Sequence, residues 1–335
     1  MATTRKGDFE VLDFTPLVQL VPRTPKLITD LGLFSDASFG VSTVAQVERV
    51  TEGTDDMVAK PRGADRNFAG RENAIVRNFN VPFFPLDTKF TAKDIQDLRA
   101  YGTSDTPQTI EDRVMRTMAR IERSHVTLKE KAFYAAIKGD SYSPSWTQGQ
   151  YDYATEFGVT GSVTTSNVNF TTLTVDPRAT VEANARAHII DQAQDNADSY
   201  QVIALCGRQW FSALVAHPLV VDSYSQYPSD QEPLRKRLGG NLINRSFETD
   251  GVTYIEDISG QIATGDAYIM PLGISDMFQL HYAPADTIAD ANTEAEAMYV
   301  FMVSDGHRTE TIETETSMIA VNTRSELVVK STGTF

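Results

Sequence analysis

The five histidines of this sequence are its first candidates for acid–base chemistry, and they stand singly at positions 125, 188, 217, 281 and 307. None belongs to an HExxH motif, which would place two imidazoles on a metal ion, and no GxSxG motif provides a serine nucleophile. His125 and His188 fall on the apolar faces of predicted helices, where a hydrogen-bonded core histidine is commoner than a catalytic base. His217 directly precedes Pro218 and is predicted to cap a helix C-terminus. The histidines therefore indicate no reaction.

Carboxylates occur in three clusters, which are the remaining candidates for a metal site: Asp55-Asp56, Asp290–Glu296 and the run TETIETET at Thr309–Thr316. A metal site needs ligands that converge in space, and the alternation of Glu with Thr is typical of an exposed strand. The single cysteine, Cys206, excludes an intramolecular disulfide and a cysteine-based zinc cluster, and it is predicted to be a core residue. Phosphate-binding glycine loops are also absent from the sequence. We therefore expect no catalytic residue, no metal and no cofactor.

The composition is that of a folded globular protein. Its 335 residues are 41% hydrophobic and 22% charged, with a mean hydropathy of −0.28, which suits about two domains. No apolar stretch approaches the ~20 residues of a membrane span, and the N-terminus lacks a signal-peptide core. The net charge of −15 arises in residues 141–335, which carry 10 basic and 25 acidic side chains. Such acidity argues against a nucleic-acid-binding surface, because attraction to phosphates dominates that kind of binding.

The N-terminal residues are predicted to form an extended arm. Pro16, Pro22 and Pro25 interrupt the apolar sequence FTPLVQLVPRTPKLITDLGLF, and proline excludes a regular helix or a central strand there. The segment is nevertheless too apolar to be a free tail. We expect its side chains, among them Leu17, Val18 and Leu20, to be buried against the same chain or a neighbouring one.

Residues 39–90 are predicted to form a long β-hairpin. In its second arm Ile75, Phe79, Val81 and Phe83 share one face, and the first arm, VSTVAQVERV, is rich in β-branched residues. The segment between the arms has no apolar face. It is locally basic, with Lys60, Arg62, Arg66, Arg71 and Arg77. This basic tip either contacts an acidic surface on another subunit or is a solvated loop, and the residues alone leave both interpretations open.

A helix of about 45 Å is predicted over residues 107–138. Thr106 is its expected N-cap, Pro107 suits the first helical position, and Gly139 suits the residue that ends it. Apolar residues at a 3/4 spacing predict one buried stripe, formed by Ile110, Val114, Met118, Ile121, His125, Leu128, Ala132 and Ala135. Arg116, Arg120 and Arg123 are expected to face away from it. A helix of this length indicates a spine that runs across the molecule.

From Asp176 onward the pattern alternates between helices and strands. A helix begins at Asp176-Pro177, a buried strand covers 200–205, and a second helix covers 207–216 and ends at Pro218. Further strands are predicted at 252–255, 267–271, 298–303, 309–315, 318–321 and 327–330. This order predicts an α+β domain with a mixed sheet.

The order of arm, hairpin, spine helix and acidic α+β region resembles the lambda-type major head (major capsid) protein family of tailed bacteriophages. The resemblance covers about residues 10–330. It rests on PLVQLVPRTPKLITDLGLF near the N-terminus, ARIERSHVTLKEKAFYAAIKG (Ala119–Gly139), CGRQWFSALVAHPLVVDSY (Cys206–Tyr224), AYIMPLGISDMFQLHYAPAD (Ala267–Asp286) and ETSMIAVNTRSELVV (Glu315–Val329).

The resemblance implies the tailed-phage major capsid fold and a division of the chain. An N-terminal arm would occupy 1–38, an extended loop (E-loop) hairpin 39–90, and a peripheral domain with the spine helix 91–169. An axial domain would occupy 170–295, and residues 296–335 would be closing strands that return to the peripheral domain. The chain would then be a structural subunit, without catalysis or cofactor, of an icosahedral head that self-assembles into hexamers and pentamers.

The resemblance also implies partners and contacts. The partners would be other copies of the chain, a decoration (cement) protein, a scaffold protein, a portal, and packaged double-stranded DNA enclosed without sequence recognition. The chain would be part of the virion, assembled in the host cytoplasm. Subunit contacts would involve Leu17, Val18 and Leu20 of the arm and Lys60, Arg62, Arg66, Arg71 and Arg77 of the loop. Some relatives cross-link a loop lysine, for which Lys60 would be the candidate, but lambda-type shells use a decoration protein and no cross-link is expected.

Two alternatives belong to other classes. An encapsulin-like compartment would share the fold and enclose protein cargo. A soluble α/β enzyme with its core at 176–285 and an unrecognised acidic site would leave the arm and the hairpin unexplained.

Overall fold

In the residues that it describes, the computed structural model of the chain contains two β-sheets, a separate two-stranded hairpin and one long helix. It describes residues 11–13, 27–51, 59, 62, 73–91, 110–159, 164–193, 200–225, 244–274, 276–304 and 309–335. Within these ranges no helix is both long and apolar enough to cross a membrane. The mixture of helices and sheets confirms the predicted α+β class.

The strands in the described ranges are β1 Val11–Asp13, β2 Ala37–Phe39, β3 Val44–Thr51, β4 Asn73–Asn80, β5 Phe83–Pro85, β6 Thr88–Thr91, β7 Thr164–Asn169, β8 Gln201–Gly207, β9 Ser246–Thr249, β10 Val252–Asp257, β11 Asp266–Leu272, β12 Phe278–Ala283, β13 Tyr299–Ser304, β14 Thr309–Asn322 and β15 Val329–Thr334. The helices are α1 Leu27–Leu31, α2 Ile110–Ile137, α3 Tyr153–Glu156, α4 Pro177–Val181, α5 Ala187–Ala193, α6 Arg208–Ala216 and α7 Pro218–Ser225. A π-helical turn, Glu182–Arg186, joins α4 to α5, and 3₁₀ turns occupy Thr147–Gly149 and Ser325–Leu327.

Strand β14 is the centre of the first sheet. The sheet runs in the order β1-β13-β14-β12-β2, and β5 and β6 also pair with β14. Ile312 and Thr314 of β14 face the spine helix α2: Ile312 packs with apolar side chains of the helix, and Thr314 contacts His125. Because neighbouring residues of a strand point to opposite faces, Glu313 and Glu315 point away from the helix.

The second sheet runs in the order β7-β15-β11-β8-β10-β9, with β8 and β10 parallel. Its central strand β8 is buried on both faces, as predicted. Ala204 and Cys206 pack with Trp210 of helix α6, whereas Ile203 and Leu205 belong to the cluster that also contains the end of the spine helix. The second sheet therefore lies between its own helices and the core that it shares with the first sheet.

The spine helix is confirmed, and it is more deeply buried than one stripe predicts. Its 28 residues span about 42 Å at 1.5 Å per residue. It ends before Gly139, whose φ of 95° is a left-handed conformation that favours glycine. In its last turns Phe133, Tyr134 and Ile137 are each only 1% exposed, because side chains from both sheets pack around them. A single periodic stripe could not predict this second covering layer.

The polar side of the spine helix also agrees with the prediction. Arg116, Arg120 and Arg123 are exposed. The predicted N-cap Thr106, the first helical position Pro107 and the side chain of Ile110 lie outside the described residues.

The predicted hairpin is confirmed in β3 and β4, which pair antiparallel from Val44–Asn80 to Thr51–Asn73. Ala45 and Val47 of β3 and Phe79 of β4 are buried, at 8%, 1% and 0% exposed. The buried face thus follows the period of two expected of a strand. Phe83 does not share it, because it belongs to β5 of the first sheet and is 42% exposed.

The structure corrects three predictions about the C-terminal strands. Residues 309–315 and 318–321 form one strand, β14, and the TETIETET run within it is not an exposed strand. Thr314 and Thr316 are 0% and 3% exposed, because β14 has strands on both sides and the spine helix over one face. The strand predicted at 327–330 begins at Val329 and pairs with β11 and β7 of the second sheet.

Two prolines mark helix starts. Asp176 caps α4 before Pro177, because its carboxylate accepts the N–H of Arg178 at 2.9 Å. Pro218, predicted only to end α6, is also the first residue of α7. The lack of a backbone N–H in Pro218 does not destabilise α7 at this position, since the first N–H groups of a helix have no partner within the helix.

Strand pairing does not follow continuous stretches of the chain. Strand β12, within the range 170–295, pairs in the first sheet. Strands β7 and β15, within 91–169 and 296–335, pair with each other in the second sheet. The domain boundaries themselves stay a prediction.

Candidate subunit-contact surfaces

The buried imidazole of His125 joins the spine helix to β14. Its Nε2 lies 3.2 Å from the Thr314 hydroxyl oxygen. That hydroxyl donates to the carbonyl of Leu86, so its oxygen accepts the proton on His125 Nε2. Burial lowers the pKa of His125 from 6.5 to about 4. His125 is therefore neutral near pH 7 and is the core histidine that the sequence predicts.

The other described histidines also contact their own chain. His188 Nε2 lies 3.1 Å from the carbonyl oxygen of Glu326, and His281 Nε2 lies 3.0 Å from Gln279 Oε1. His217 stands at the C-cap of α6 as predicted, but its ring nitrogens make no hydrogen bond in the described part of the chain. Across the same ranges no three His, Cys, Asp or Glu side chains are placed to hold a metal ion. His307 lies outside the described residues.

Two buried carboxylates that sequence reasoning missed tie the spine helix to distant segments. Glu130 accepts the N–H of Ile28 at 2.8 Å and the Thr29 hydroxyl at 2.9 Å, so it caps helix α1. Asp257 accepts the hydroxyl of Tyr134 at 2.9 Å. These partners lie 102 and 123 residues apart in sequence, and no local pattern indicates them.

Cys206 and Glu256 are paired in register on β8 and β10, but they do not form a reactive site. The thiol is 0% exposed, and burial raises its pKa, which suppresses the nucleophilic thiolate. Arg245 forms two hydrogen bonds to the Glu256 carboxylate, at 2.7 and 2.9 Å, and these lower its pKa. The prediction of Cys206 as a core residue is confirmed.

The base of the hairpin is fastened to its own chain. Phe79 of β4 lies edge-on to Tyr151 and Tyr153, with ring centroids 5.0 and 5.8 Å apart. The N–H of Asn80 donates to the Tyr151 hydroxyl at 2.9 Å. Further along, Arg49 of β3 forms an ion pair with Glu326 at 2.7 Å. These contacts fix the direction in which the hairpin leaves the molecule.

The outer face of the same hairpin is exposed and carries three valines among polar side chains such as Gln46, Glu48, Asn78 and Asn80. Val44 and Val50 of β3 and Val76 of β4 are 40%, 51% and 44% exposed. They lie on the side opposite Val47 and Phe79, because side chains alternate along each strand. The hairpin therefore has one face bound to its own chain and one face available to another molecule.

Of the eight residues that the resemblance implies as subunit contacts, the structure describes two, Arg62 and Arg77. Arg77 is exposed, but its Nε donates to the carbonyl of Glu156 in the same chain. Arg62 is exposed. The others, Leu17, Val18, Leu20, Lys60, Arg66 and Arg71, lie outside the described residues. Their roles as contacts stay predictions.

A family model described as phage major capsid protein E matches residues 11–332. The chain belongs to this family. The major capsid protein of Pseudomonas phage KPP10 is 32% identical to it, over 97% of each chain. The phage major capsid protein E family thus confirms the resemblance seen in the sequence.

Two solved structures show the fold of this phage major capsid protein E family member. A capsid protein of an E. coli CFT073 prophage superposes with a TM-score of 0.56 and 10% identity, over 97% of this chain and 100% of that one. A chain of the bacteriophage PhiM1 mature capsid has a TM-score of 0.54 and 12% identity, over 89% and 86%. Both confirm the predicted tailed-phage capsid fold.

Membership in the phage major capsid protein E family makes the chain a structural subunit of a phage head. It associates with copies of itself in a capsid shell, and its place is the virion capsid. The family implies a structural role, which favours the phage head over the compartment and enzyme alternatives.

Proposed function

We propose that copies of this chain assemble into an icosahedral head of hexamers and pentamers that encloses double-stranded DNA. The observation that carries this proposal is the two-faced hairpin, whose inner face is bound to its own chain while Val44, Val50 and Val76 are exposed on the outer face. Burying the exposed part of each such valine contributes about 1 kcal/mol. In a closed shell every subunit has identical neighbours at fixed positions, so a second copy is the natural cover for this face.

We assign the first sheet and the spine helix to the peripheral domain and the second sheet with α4–α7 to the axial domain. The assignment rests on which strands pair rather than on continuous ranges. It moves β12 from the expected axial range to the peripheral domain, and it moves β7 and β15 to the axial domain. Asp257, which binds Tyr134, would then be a contact between the two domains.

The negative charge of the C-terminal part of the chain supports the proposal that the head encloses DNA without sequence recognition. Residues 141–335 hold 25 acidic and 10 basic side chains, so this part of the chain repels phosphates. A wall with this charge would let packaged DNA lie against it without adhering. The hypothesis requires that most of these carboxylates face the interior of the head.

The proposed assembly needs further partners. We propose a separate scaffold protein, a portal and a decoration protein, with assembly in the host cytoplasm. We expect no covalent cross-link through Lys60, since a decoration protein would stabilise the mature shell instead. Mature shells boiled in SDS should therefore release single 37.0 kDa chains, and a ladder of covalent oligomers would contradict this expectation.

Electron microscopy of the purified chain, with a sizing column beside it, tests the proposed function. We expect closed shells, tubes or five- and six-membered rings, formed by the chain alone or with its scaffold co-expressed. A chain that stays a 37.0 kDa monomer in both preparations would contradict the proposal.

A further inference from the structure

The exposed side of the spine helix carries three arginines. Arg116, Arg120 and Arg123 of α2 are all exposed and stand at positions i, i+4 and i+7 of the helix. A helix turns by about 100° per residue, so the three side chains leave it within about 60° of one another and span about 10 Å along its axis. We call this surface the arginine stripe and define it by these three residues.

The buried side of the helix fixes the direction in which the arginine stripe points. Met118 and Ile121 are each 1% exposed and pack in one cluster with side chains of β13 and β14, and His125 contacts Thr314. By the same helical geometry these three residues lie on the side of α2 opposite the stripe. The first sheet therefore holds the helix with its arginines pointing outward from the subunit.

Among the described side chains of the spine helix, every exposed charge is positive. The structure describes the side chains of residues 114–137, and the carboxylates among them are Glu122 and Glu130, which are buried at 6% and 5% exposed. Within the described part of the chain, neither Arg120 nor Arg123 forms an ion pair. Like charges three or four residues apart on a helix repel one another, and an anionic partner would relieve that repulsion.

The chemistry of the arginine stripe suits phosphate. Each guanidinium is planar and permanently charged, and its fork of N–H donors matches two phosphate oxygens at once. The neighbouring hydroxyls of Ser124 and Thr127 donate to the carbonyls of Arg120 and Arg123, at 3.1 and 2.8 Å, so these hydroxyl protons are used within the helix. The arginines therefore supply the hydrogen-bond donors of this surface.

The shape of the arginine stripe favours a DNA duplex over a protein segment. A duplex carries one negative charge per about 1.7 Å of its axis, so a straight row of cations about 10 Å long meets phosphates wherever it contacts the duplex. A protein partner would need carboxylates at matching positions and an apolar centre to its interface. Between residues 114 and 127, which the structure describes, the one other side chain in the arc of the stripe is the polar Thr127.

We propose that the arginine stripe faces the interior of the head and binds the phosphates of the packaged DNA without reading its sequence. The inference rests on the proposed function, because it names the surface of the subunit that DNA contacts within a filled head. Three phosphate contacts are weak by themselves, but every subunit of a shell carries the same stripe, so the contacts add along the DNA. The excess of acidic residues in 141–335 would repel the DNA elsewhere and confine its contact with the wall to the stripes.

The salt dependence of DNA binding by the unassembled full-length chain tests the arginine stripe. Fluorescence anisotropy with a labelled duplex measures the affinity at a series of salt concentrations. For three phosphate contacts the logarithm of the affinity should fall with the logarithm of the salt concentration at a slope of about −2.7. Arg120→Gln with Arg123→Gln should weaken binding at least tenfold at low salt and change the slope to about −0.9. A duplex of unrelated sequence should bind equally well.

A matched control separates the stripe from net charge. Lys89→Gln with Arg208→Gln removes two exposed positive charges outside the spine helix and should bind DNA within twofold of the unchanged chain. Circular dichroism checks that each variant folds. Unchanged binding by the stripe variant, or an equal loss in the control, would overturn the inference. An unchanged chain that binds no DNA at low salt would do the same.

Photo-cross-linking in filled heads tests whether the stripe contacts the packaged DNA. Ser124, which is exposed beside the stripe, is replaced by the photoreactive residue benzoylphenylalanine. DNA-filled heads are irradiated with empty shells as the control, and we expect cross-links to DNA in the filled heads. Filled heads in which this position cross-links to protein alone, or to nothing, would overturn the inference and leave the proposed function standing. Failure of the unchanged chain to assemble even with scaffold would overturn both.

Discussion

Arg49 on the hairpin and Glu326 in the turn that joins the two sheets form an ion pair, with Arg49 Nη2 2.7 Å from Glu326 Oε1. The two side chains are 16% and 10% exposed. Arg324 Nε lies 3.6 Å from the same carboxylate, and His188 of helix α5 contacts the Glu326 carbonyl oxygen. One residue therefore connects the hairpin, the crossing between the sheets and a helix of the second sheet.

Replacement of Glu326 by Gln should loosen the hairpin. The change leaves the largely buried guanidinium of Arg49 without its charge partner, and we expect a loss of about 2–3 kcal/mol in the free energy of unfolding. Hydrogen exchange of the β3 amides should also become faster. The double variant Arg49→Met with Glu326→Leu removes both charges and should recover most of the stability. Unchanged exchange in Glu326→Gln would show that the pair does not hold the hairpin.

His125 should make the subunit sensitive to acid. Its pKa is about 4 in the folded chain and 6.5 ordinarily, so the unfolded chain takes up the proton first as pH falls. Stability is fully present above pH 6.5 and is lost as pH falls toward 4, by about 3 kcal/mol in total.

The variant His125→Gln tests this pH dependence, because Gln can still donate to Thr314 and does not titrate. Denaturant unfolding at a series of pH values from 7.5 to 4 measures both proteins. We expect the variant to lose less stability than the unchanged chain over that window. Parallel curves for the two proteins would assign the acid sensitivity to other groups.

The exposed valines of the hairpin should matter for assembly and not for folding. Val50→Glu with Val76→Glu places charges on a face that is solvent-exposed in the single subunit, so the free energy of unfolding should fall by no more than ~1 kcal/mol in total, mainly because the carboxylate introduced at position 76 lies opposite Glu48. Shell formation should fall at least tenfold, measured by sedimentation and electron microscopy. The control Val50→Thr with Val76→Thr keeps strand preference and should give a smaller defect. Normal shells from the glutamate variant would remove the main support for the hairpin as a contact between subunits.

Gly207 should tolerate no side chain. A Cβ at this position would lie 2.1 Å from the carbonyl oxygen of Ala263 and 2.7 Å from that of Thr264, and both are backbone atoms. The Thr264 carbonyl also accepts the N–H groups of Gln209 and Trp210 at the start of α6, so it cannot move aside without breaking hydrogen bonds.

We expect Gly207→Ala to cost about 3 kcal/mol or to abolish folding, as measured by thermal unfolding and soluble yield. Gly265→Ala is the matched control. Its Cβ would meet only the Phe335 ring, at 3.1 Å, and that terminal side chain can turn away. Equal stability in the two variants would contradict the close approach of the Ala263 loop.

Regular elements could be predicted from the sequence because their signals are local. The glycine that ends the spine helix, the Asp176-Pro177 start of α4 and the alternation along β4 each reflect the geometry of one backbone segment. The sequence also shows directly that it lacks the catalytic motifs considered above, because each of them is a short local pattern. The burial of the TETIETET run could not be predicted from the sequence, because the same Thr–Glu alternation suits an edge strand or a central one. Only the neighbours β5, β6, β12 and β13 decide between them.

The sequence by itself determined the family, the order of the elements and the basic character of segment 57–71. The tertiary structure decided which sheet each strand joins, which face of β14 carries the carboxylates, and how the hairpin is fastened. Arg49 and Glu326 are 277 residues apart, and Ile28 and Glu130 are 102 apart. Neither pair has any local signal, since such partners meet only when the whole chain closes around its core. Periodicity shows which side chains share a face, whereas the surface that covers that face depends on long-range packing.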